Sequence, residues 1–342
     1  MEVQPQISAS PLADLATTDL HPLRFQNQFL EKLWGGQKIK SVFGKENPSL
    51  ANCGETWEVS GVPGRPSVVA EGPLAGYSLA ELTEHYGPQL LGEQNHRTYG
   101  TEFPLLVKLI DAADDLSVQV HPDDALARER HGSFGKTEMW YVLDADPEAQ
   151  LIAGFNQPMT QERYLQAMEE GNLSDFLNRE AVSPGDVFFI PAGRIHTIGR
   201  GILLAEIQQS SDVTYRIYDF DRRDADGNLR ELHTEQAVAA LDYAHYPQYK
   251  HQVAEEPNVF QTLVDSPFFT VQRLSLDISH TISEQTFDSF EILLAVKGAL
   301  VVKTDQGSCT LKAGEALLMP AVIPHYTLEP KGPAQVLRAF IR

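Results

Sequence analysis

Short apolar runs alternate with Gly, Pro, Asn and Asp along most of the chain. PLLVKLID (104–111), LSVQVH (116–121), EMWYVLD (138–144), AQLIAGF (149–155), DVFFIPAG (186–193), GILLAEIQ (201–208) and VTYRIYDF (213–220) are strand-length and rich in β-branched and aromatic residues. Such runs, closely spaced and bounded by turn residues, predict a mainly β fold of the sandwich or barrel kind. A few helices interrupt it. Ser78 and Glu81 make a capping-box pattern before LTEHY. Residues 160–170 (TQERYLQAMEE) have a helical period, SDFLNRE (174–180) reads as a second short helix, and Thr234 is placed to cap EQAVAALDY. Over 244–258 the texture turns polar and structureless, and a second all-β run follows: FFTVQRLSLD, FEILLAVKGALVVKTD, CTLKAGEALLMPA and AQVLRAFIR. The expected organisation is therefore a loose tail (1–20), a larger β domain (21–250) and a smaller one (251–342).

Two segments share a pattern. SPGDVFFIPAGRIHTI (183–198) and KAGEALLMPAVIPHYTL (312–328) both read as a Gly turn, an apolar strand, a Pro that ends it and a His just beyond. The anchors are Gly185, Pro191, Gly193 and His196 in one, and Gly314, Pro320, Val322 and His325 in the other. An internal repeat of this kind implies two related β domains. The pattern resembles the second motif of the cupins, which implies two cupin-like jelly-roll barrels with a few short helices.

Composition narrows the function. No run of about 18 apolar residues appears, so a transmembrane helix is not expected, and the polar N-terminus does not read as a secretory signal. The 2 cysteines, Cys53 and Cys309, lie far apart in unrelated contexts, which fits a reducing, cytoplasmic location. A formal net charge of −20 with no basic cluster argues against nucleic acid and anionic membranes. A phosphorylated substrate would be repelled at long range, so its site has to be built locally from a few Lys and Arg.

Candidate metal chemistry sits on alternating strand positions. Gln119 and His121 point to one face of their strand, with Val118 and Val120 on the other. Glu138, from KTEMWYV, and His196, from IPAGRIH, complete a mixed N/O set of two imidazoles, a carboxylate and an amide oxygen. Zinc is the first choice, although manganese, iron and cobalt accept similar ligands. A neutral amide in place of another carboxylate leaves more positive charge on the metal. Spacing alone is also met by polar residues facing water.

The combined text PLLVKLIDAADDLSVQVHPDD, GKTEMWYV, IPAGRIHTI and AEIQQSSDVTYRIYDF resembles the type I mannose-6-phosphate isomerases in their shorter bacterial form. The likeness runs from WGG (34–36) through YDFDR (218–222), and more weakly to the C-terminus. It implies one Zn²⁺ per chain held by Gln119, His121, Glu138 and His196. The 17-residue step from His121 to Glu138, longer than cupins usually show, matches that family. Also implied is a small sugar phosphate substrate, with mannose 6-phosphate and fructose 6-phosphate interconverted through an enediolate. The resemblance places Lys136, Glu206, Asp212 and Arg216 in the site. Arg216 is expected to stabilise the enediolate or to orient the phosphate. Glu206 is the first candidate for the proton-transfer base. Asp212 is expected to orient Arg216 or assist ring opening, and Lys136 to bind hydroxyls, help ring opening or contact phosphate. Trp57 and Glu58 are expected behind the barrel, with Ser60 within reach of a phosphate. The second domain keeps Glu291 and His325 but no Gln-x-His or His-x-His before Glu291, and is expected to be a degenerate barrel without catalytic metal. A cupin oxygenase would call for a set richer in His. A non-catalytic sugar-binding cupin would be marked by a lost ligand or a lost Arg216.

Overall fold

The structure, a computed structural model, describes residue 15 and residues 18–223, 226–283 and 287–342. In chain order its strands are β1 (Gln28–Gly36), β2 (Cys53–Ser60), β3 (Leu105–Ala112), β4 (Val118–Val120), β5 (Glu138–Ala145), β6 (Gln150–Phe155) and β7 (Leu177–Ala181). Then come β8 (Val187–Ile190), β9 (His196–Thr197), β10 (Ile202–Gln209), β11 (Tyr215–Tyr218) and β12 (Lys250–His251). The C-terminal strands are β13 (Gln261–Asp265), β14 (Thr270–Leu276), β15 (His280–Ile282), β16 (Glu291–Lys297), β17 (Ala299–Thr304), β18 (Gly307–Lys312), β19 (Ala316–Met319), β20 (Tyr326–Pro330) and β21 (Ala334–Phe340). The fold is mainly β, as the hydrophobic pattern requires.

The chain forms two compact units, one of residues 29–57 and 105–255, the other of residues 1–28, 58–104 and 256–342. This differs from the linear division expected from the sequence, because residues 58–104 join the C-terminal strands. Their helices supply the reason. Ala321 and Val322 donate backbone bonds to the carbonyls of Leu90 and Gln89, the Asn95 amide donates to Ser289 Oγ at 3.0 Å, and Phe103 packs on Phe290 with ring centroids 4.7 Å apart. Most of the expected tail lies outside the described residues, but Leu15 and Leu20 within it are buried.

In the first unit a 7-stranded sheet runs β1-β2-β3-β10-β5-β8-β12, and a 5-stranded sheet runs β11-β4-β9-β6-β7. Two apolar clusters serve them. Trp34, Trp140, Phe188, Ile190 and Leu204 fill one. Val118 and Val120 pack in the other with Phe155, Tyr164, Tyr215 and Ala237. The valines of β4 thus face the core side formed with the helices Gln161–Glu170 and Thr234–Ala240, which leaves Gln119 on the opposite face. Val120→Ala removes methyl groups from a position with 0% exposure and is expected to cost about 2 kcal/mol. A lowered urea midpoint at unchanged m-value is the readout.

The other unit carries a 5-stranded sheet, β13-β14-β21-β16-β19, and a 4-stranded one, β15-β20-β17-β18. The repeat seen in the sequence is structural: β8 to β9 and β19 to β20 are both a strand, a Pro-containing turn and a second strand.

Local expectations fared unevenly. Ser78 and Glu81 form the full capping box, and Thr160 caps Gln161–Glu170 through its side chain. Thr234 is not the cap of its helix but its first residue. His233 occupies the cap position because its N–H donates to Arg216 O at 2.7 Å, while its Nδ1 accepts from Arg216 N at 3.2 Å. SDFLNRE is not a helix either. A 3₁₀ turn, Leu173–Phe176, gives way to β7, whose pairing with β6 overrides the local helical preference.

Candidate active site

The 17-residue gap between His121 and Glu138 is closed by a helix, Asp124–His131, that the hydrophobic pattern did not single out. Asp123 caps it through Oδ1, and Asp124 then acts as a hub: its Oδ1 accepts from Gly135 N at 2.7 Å and from Gln209 Nε2 at 2.9 Å. Gly135 is required here, since a Cβ would lie 2.5 Å from the Asp124 nitrogen. Lys136 N–H returns to Pro122 O at 3.1 Å. The loop therefore brings Lys136 and Glu138 back beside His121. Gly193, in the left-handed region with φ +89, donates its N–H to His121 O at 2.9 Å and so ties the turn before His196 to the same place.

Strand register assembles the rest. Gln119 pairs with His196 on one side and with Arg216 on the other. On the facing sheet Glu206 lies between Lys108 and Trp140, and Gln208 beside Glu138. His121, Glu138 and His196 form the group among the described residues able to hold a metal ion, with their ligand atoms within 4.8 Å of one another. All three are buried, at 1%, 0% and 0% exposure.

The donor chemistry fits a metal. Each histidine donates Nδ1–H to a backbone carbonyl, His121 to Val213 O at 2.9 Å and His196 to Arg194 O at 2.8 Å. That fixes the tautomer and turns both Nε2 lone pairs toward Glu138. Burial drives His121 well below the usual imidazole range and His196 down to about 3, so both rings are neutral ligands. Glu138 Oε1 lies 3.2 Å from His196 Nε2 and Oε2 3.6 Å from His121 Nε2. Among the described residues Oε1 accepts no hydrogen bond and Oε2 meets only the Lys136 ammonium, a costly arrangement for buried carboxylate atoms that a cation relieves. Burial and, after it, the nearby Glu206 charge push the Glu138 carboxyl up to about 8. Lys136 Nζ, 3.0 Å from both Glu138 Oε2 and His121 Nε2, already places a positive charge there. Gln119 presents Nε2 to His196 at 3.3 Å while Oε1 accepts from Ser117 Oγ at 3.2 Å. Turning the amide over exchanges the two atoms and puts the oxygen among the ligands.

Above this group lies a cavity of about 140 Å³, lined by Gln119, Lys136, Glu206, Asp212 and Arg216 together with Lys32, Glu55, Trp57, Lys108 and Arg230. A larger cavity of about 370 Å³, lined by Val118, Ile152, Met168 and Leu173, contains none of the ligand group. Glu206 accepts from Lys108 Nζ at 3.1 Å on Oε1 and from Trp140 Nε1 at 2.9 Å on Oε2. Burial would raise its pKa, but Lys108, Lys136 and the indole hold it at about 2. The same partnership raises Lys108 against its burial. Glu55 is similarly engaged, 3.1 Å from Lys32 Nζ and accepting from Trp57 Nε1 at 2.8 Å. Arg216 Nη1 donates to Glu231 O at 2.9 Å, and burial lowers its pKa. Among the described residues no carboxylate is ion-paired with Arg216, and no Lys, Arg or His is ion-paired with Asp212.

The sequence reading missed Lys108, Lys32, Glu55 and Arg230. A signal for Lys108 existed: a lone Lys inside PLLVKLID, whose strand is buried throughout. Ser60 has a structural place instead of the expected phosphate contact, being fully buried with Oγ donating to Arg65 O at 2.8 Å. Trp57, expected behind the barrel, lines the cavity, with Lys108 Nζ 5.3 Å from its ring centroid. In the other unit Glu291 Oε2 accepts from the buried Tyr326 hydroxyl at 2.5 Å, while His325 is exposed.

The chain is similar to known proteins. Residues 23–156 match the family model for the catalytic domain of type I phosphomannose isomerase, and residues 260–340 match that for the cupin domain of mannose-6-phosphate isomerase. Mannose-6-phosphate isomerase ManA of Bacillus subtilis is 37% identical over 311 residues, covering 90% of this chain and 96% of that protein. The mannose-6-phosphate isomerase of Streptococcus mutans is 38% identical over 313 residues, covering 90% and 95%. The crystal structure of the Bacillus subtilis mannose 6-phosphate isomerase superposes with a TM-score of 0.84 at 34% identity, over 93% of this chain and 99% of that one. With its fold, its buried His–Glu–His group and near-full-length likeness, the chain belongs to the type I mannose-6-phosphate isomerase family.

Proposed function

We propose that this chain is a zinc-dependent aldose–ketose isomerase that interconverts mannose 6-phosphate and fructose 6-phosphate through an enediolate. The observation that carries the reading is the buried His121–Glu138–His196 group with two neutral, oriented imidazoles beneath a cavity rich in Lys and Arg. Gln119, with its amide turned over, supplies the remaining ligand. The bound metal supplies Lewis acidity toward the substrate's O1 and O2.

The protein's own residues do the rest. Arg216, adjacent to Gln119 across the strand pair, brings a permanent positive charge into the cavity, where it stabilises the enediolate or orients the phosphate. Lys136, held against the ligand group, donates hydrogen bonds to the sugar oxygens during ring opening. For the base, the geometry favours a different residue from the sequence reading. Both oxygens of Glu206 are occupied, and its low pKa makes it a weak base. Glu206 is therefore assigned as the counter-ion that keeps Lys108 protonated. Of the three carboxylates lining the cavity, Glu55, Glu206 and Asp212, only Asp212 lacks an ion-pair partner among the described residues. Asp212 is assigned the transfer of the proton from C2 to C1.

A coupled assay for fructose 6-phosphate tests the function. Turnover should vanish on chelation and return on adding back about one zinc per chain. Zinc-loaded protein that makes no fructose 6-phosphate from mannose 6-phosphate would overturn the assignment. Recovery with manganese or cobalt but not zinc would keep the isomerase and replace the metal.

A further inference from the structure

β11 and the segment after it bring Arg216, Arg222 and Arg230 to one buried carboxylate, Asp219, with Arg216 and Arg230 lining the cavity. Arg230 grips that carboxylate with both ends of its fork, Nε donating to Oδ2 at 2.6 Å and Nη2 to Oδ1. Arg222 Nη2 donates to the same Oδ1 at 3.2 Å, and its Nη1 lies 3.7 Å from the exposed Asp114. The grip uses two of Arg230's three nitrogens. Nη1 has no protein partner among the described residues, and Arg230 lines the same cavity as Gln119 and Lys136. The neighbouring Glu231 carbonyl accepts from Arg216 Nη1 at 2.9 Å, so the two arginines are tied to one piece of backbone.

The charge balance of this corner is unlike the rest of the cavity. Lys32 and Lys108 each have a carboxylate partner, Glu55 and Glu206. Among the described residues Arg216 has none, and Arg230 shares Asp219 with Arg222. Holding like charges together raises the energy of the empty site. Arg230 adds to the burial that already lowers the pKa of Arg216. A dianion placed between them relieves that repulsion. The chain as a whole is at −20, so such a corner is not a by-product of a basic surface.

We propose that Arg230, clamped by Asp219 and acting with Arg216, binds the phosphate of the substrate. Asp219 is a positioning residue: it fixes the guanidinium plane in advance, so little rotamer freedom is lost on binding. The inference rests on the isomerase reading for the identity of the phosphate ester, but not for phosphate recognition itself.

The test uses metal-loaded, full-length protein and the variants Arg230→Met and Arg230→Lys, with inorganic phosphate as probe. For Arg230→Met, the KM for mannose 6-phosphate and the inhibition constant of inorganic phosphate should rise together by about 10- to 100-fold, with kcat changed less than about threefold. Arg230→Lys keeps the charge and loses the fork, and should give a smaller rise of both. Its thermal midpoint and metal content, equal to wild type, separate lost binding from lost fold. If both constants stay within about twofold of wild type, or if kcat falls while the phosphate constant does not move, the inference is wrong. Should the wild type turn over no mannose 6-phosphate, the isomerase reading fails, and calorimetry still decides this one. Inorganic phosphate must bind wild type and bind Arg230→Met much more weakly, and equal binding would overturn the proposal.

Discussion

Glu138→Gln is expected to remove bound metal and turnover together while making the metal-free protein more stable. The substitution keeps the shape and deletes the charge that two neutral imidazoles cannot supply. Loss of several kcal/mol of charge stabilisation corresponds to about three or more orders of magnitude in kcat. Stability moves the other way. The Glu138 carboxyl, pushed up to about 8 from the ordinary 4.5 of a glutamate, destabilises the metal-free fold progressively as pH rises between those values. Glu206, held near 2, is ionised across that window and adds no slope. Metal-free wild type should therefore melt lower at pH 8 than at pH 6, and Glu138→Gln should flatten that dependence. Saturating metal should raise the wild-type midpoint, by about 4 kcal/mol of stability at a thousand times Kd, and leave the variant unmoved. Metal analysis, kinetics and melting curves at the two pH values give the answer. A variant that retains one zinc per chain would remove Glu138 from the ligand set.

Asp212→Asn is expected to cut kcat by about 10²- to 10⁴-fold with metal content unchanged, as befits removal of a general base. Glu206→Gln is the necessary companion. As counter-ion its loss should weaken catalysis through Lys108 and move the pH profile of kcat, because Lys108 is then buried without its nearest carboxylate. As base its loss should abolish proton exchange at C2 outright. Exchange of the C2 proton with deuterated water, followed by NMR, separates the two. Exchange surviving in Glu206→Gln and lost in Asp212→Asn supports Asp212 as the base, and the reverse pattern restores Glu206.

Much of this site was legible because its ligands obey simple periodicities. Gln119 and His121 follow the two-residue repeat of a strand, and His196 follows a Gly–strand–Pro pattern. Glu138 was added as a carboxylate from the strand KTEMWYV, with the resemblance in support, since no spacing rule predicts that a helix and a Gly135 turn return the chain to His121. Lys108 was missed for a different reason: a lone Lys in an apolar strand marks a buried charge, but its partner Glu206 is 98 residues away, and no local pattern announces such a pairing. The helix misassigned to SDFLNRE failed on the same ground, through its pairing with β6. The interleaved units, too, depend on contacts between distant segments that the linear texture conceals.

That dependence on distant pairing has a consequence for how the protein comes into being. Gln119 meets His196 across a separation of 77 residues, and Lys108 meets Glu206 across 98. Contacts of such long range are slow to form, and none of them exists while the intervening chain is unmade. At about 5–20 residues per second of synthesis, the first ligands leave the ribosome some seconds before the last. The nascent chain therefore has no metal site to load. Capture of the metal is a step of maturation that follows closure of the sheets, and the cell's free metal at that moment takes part in deciding which ion the finished protein holds.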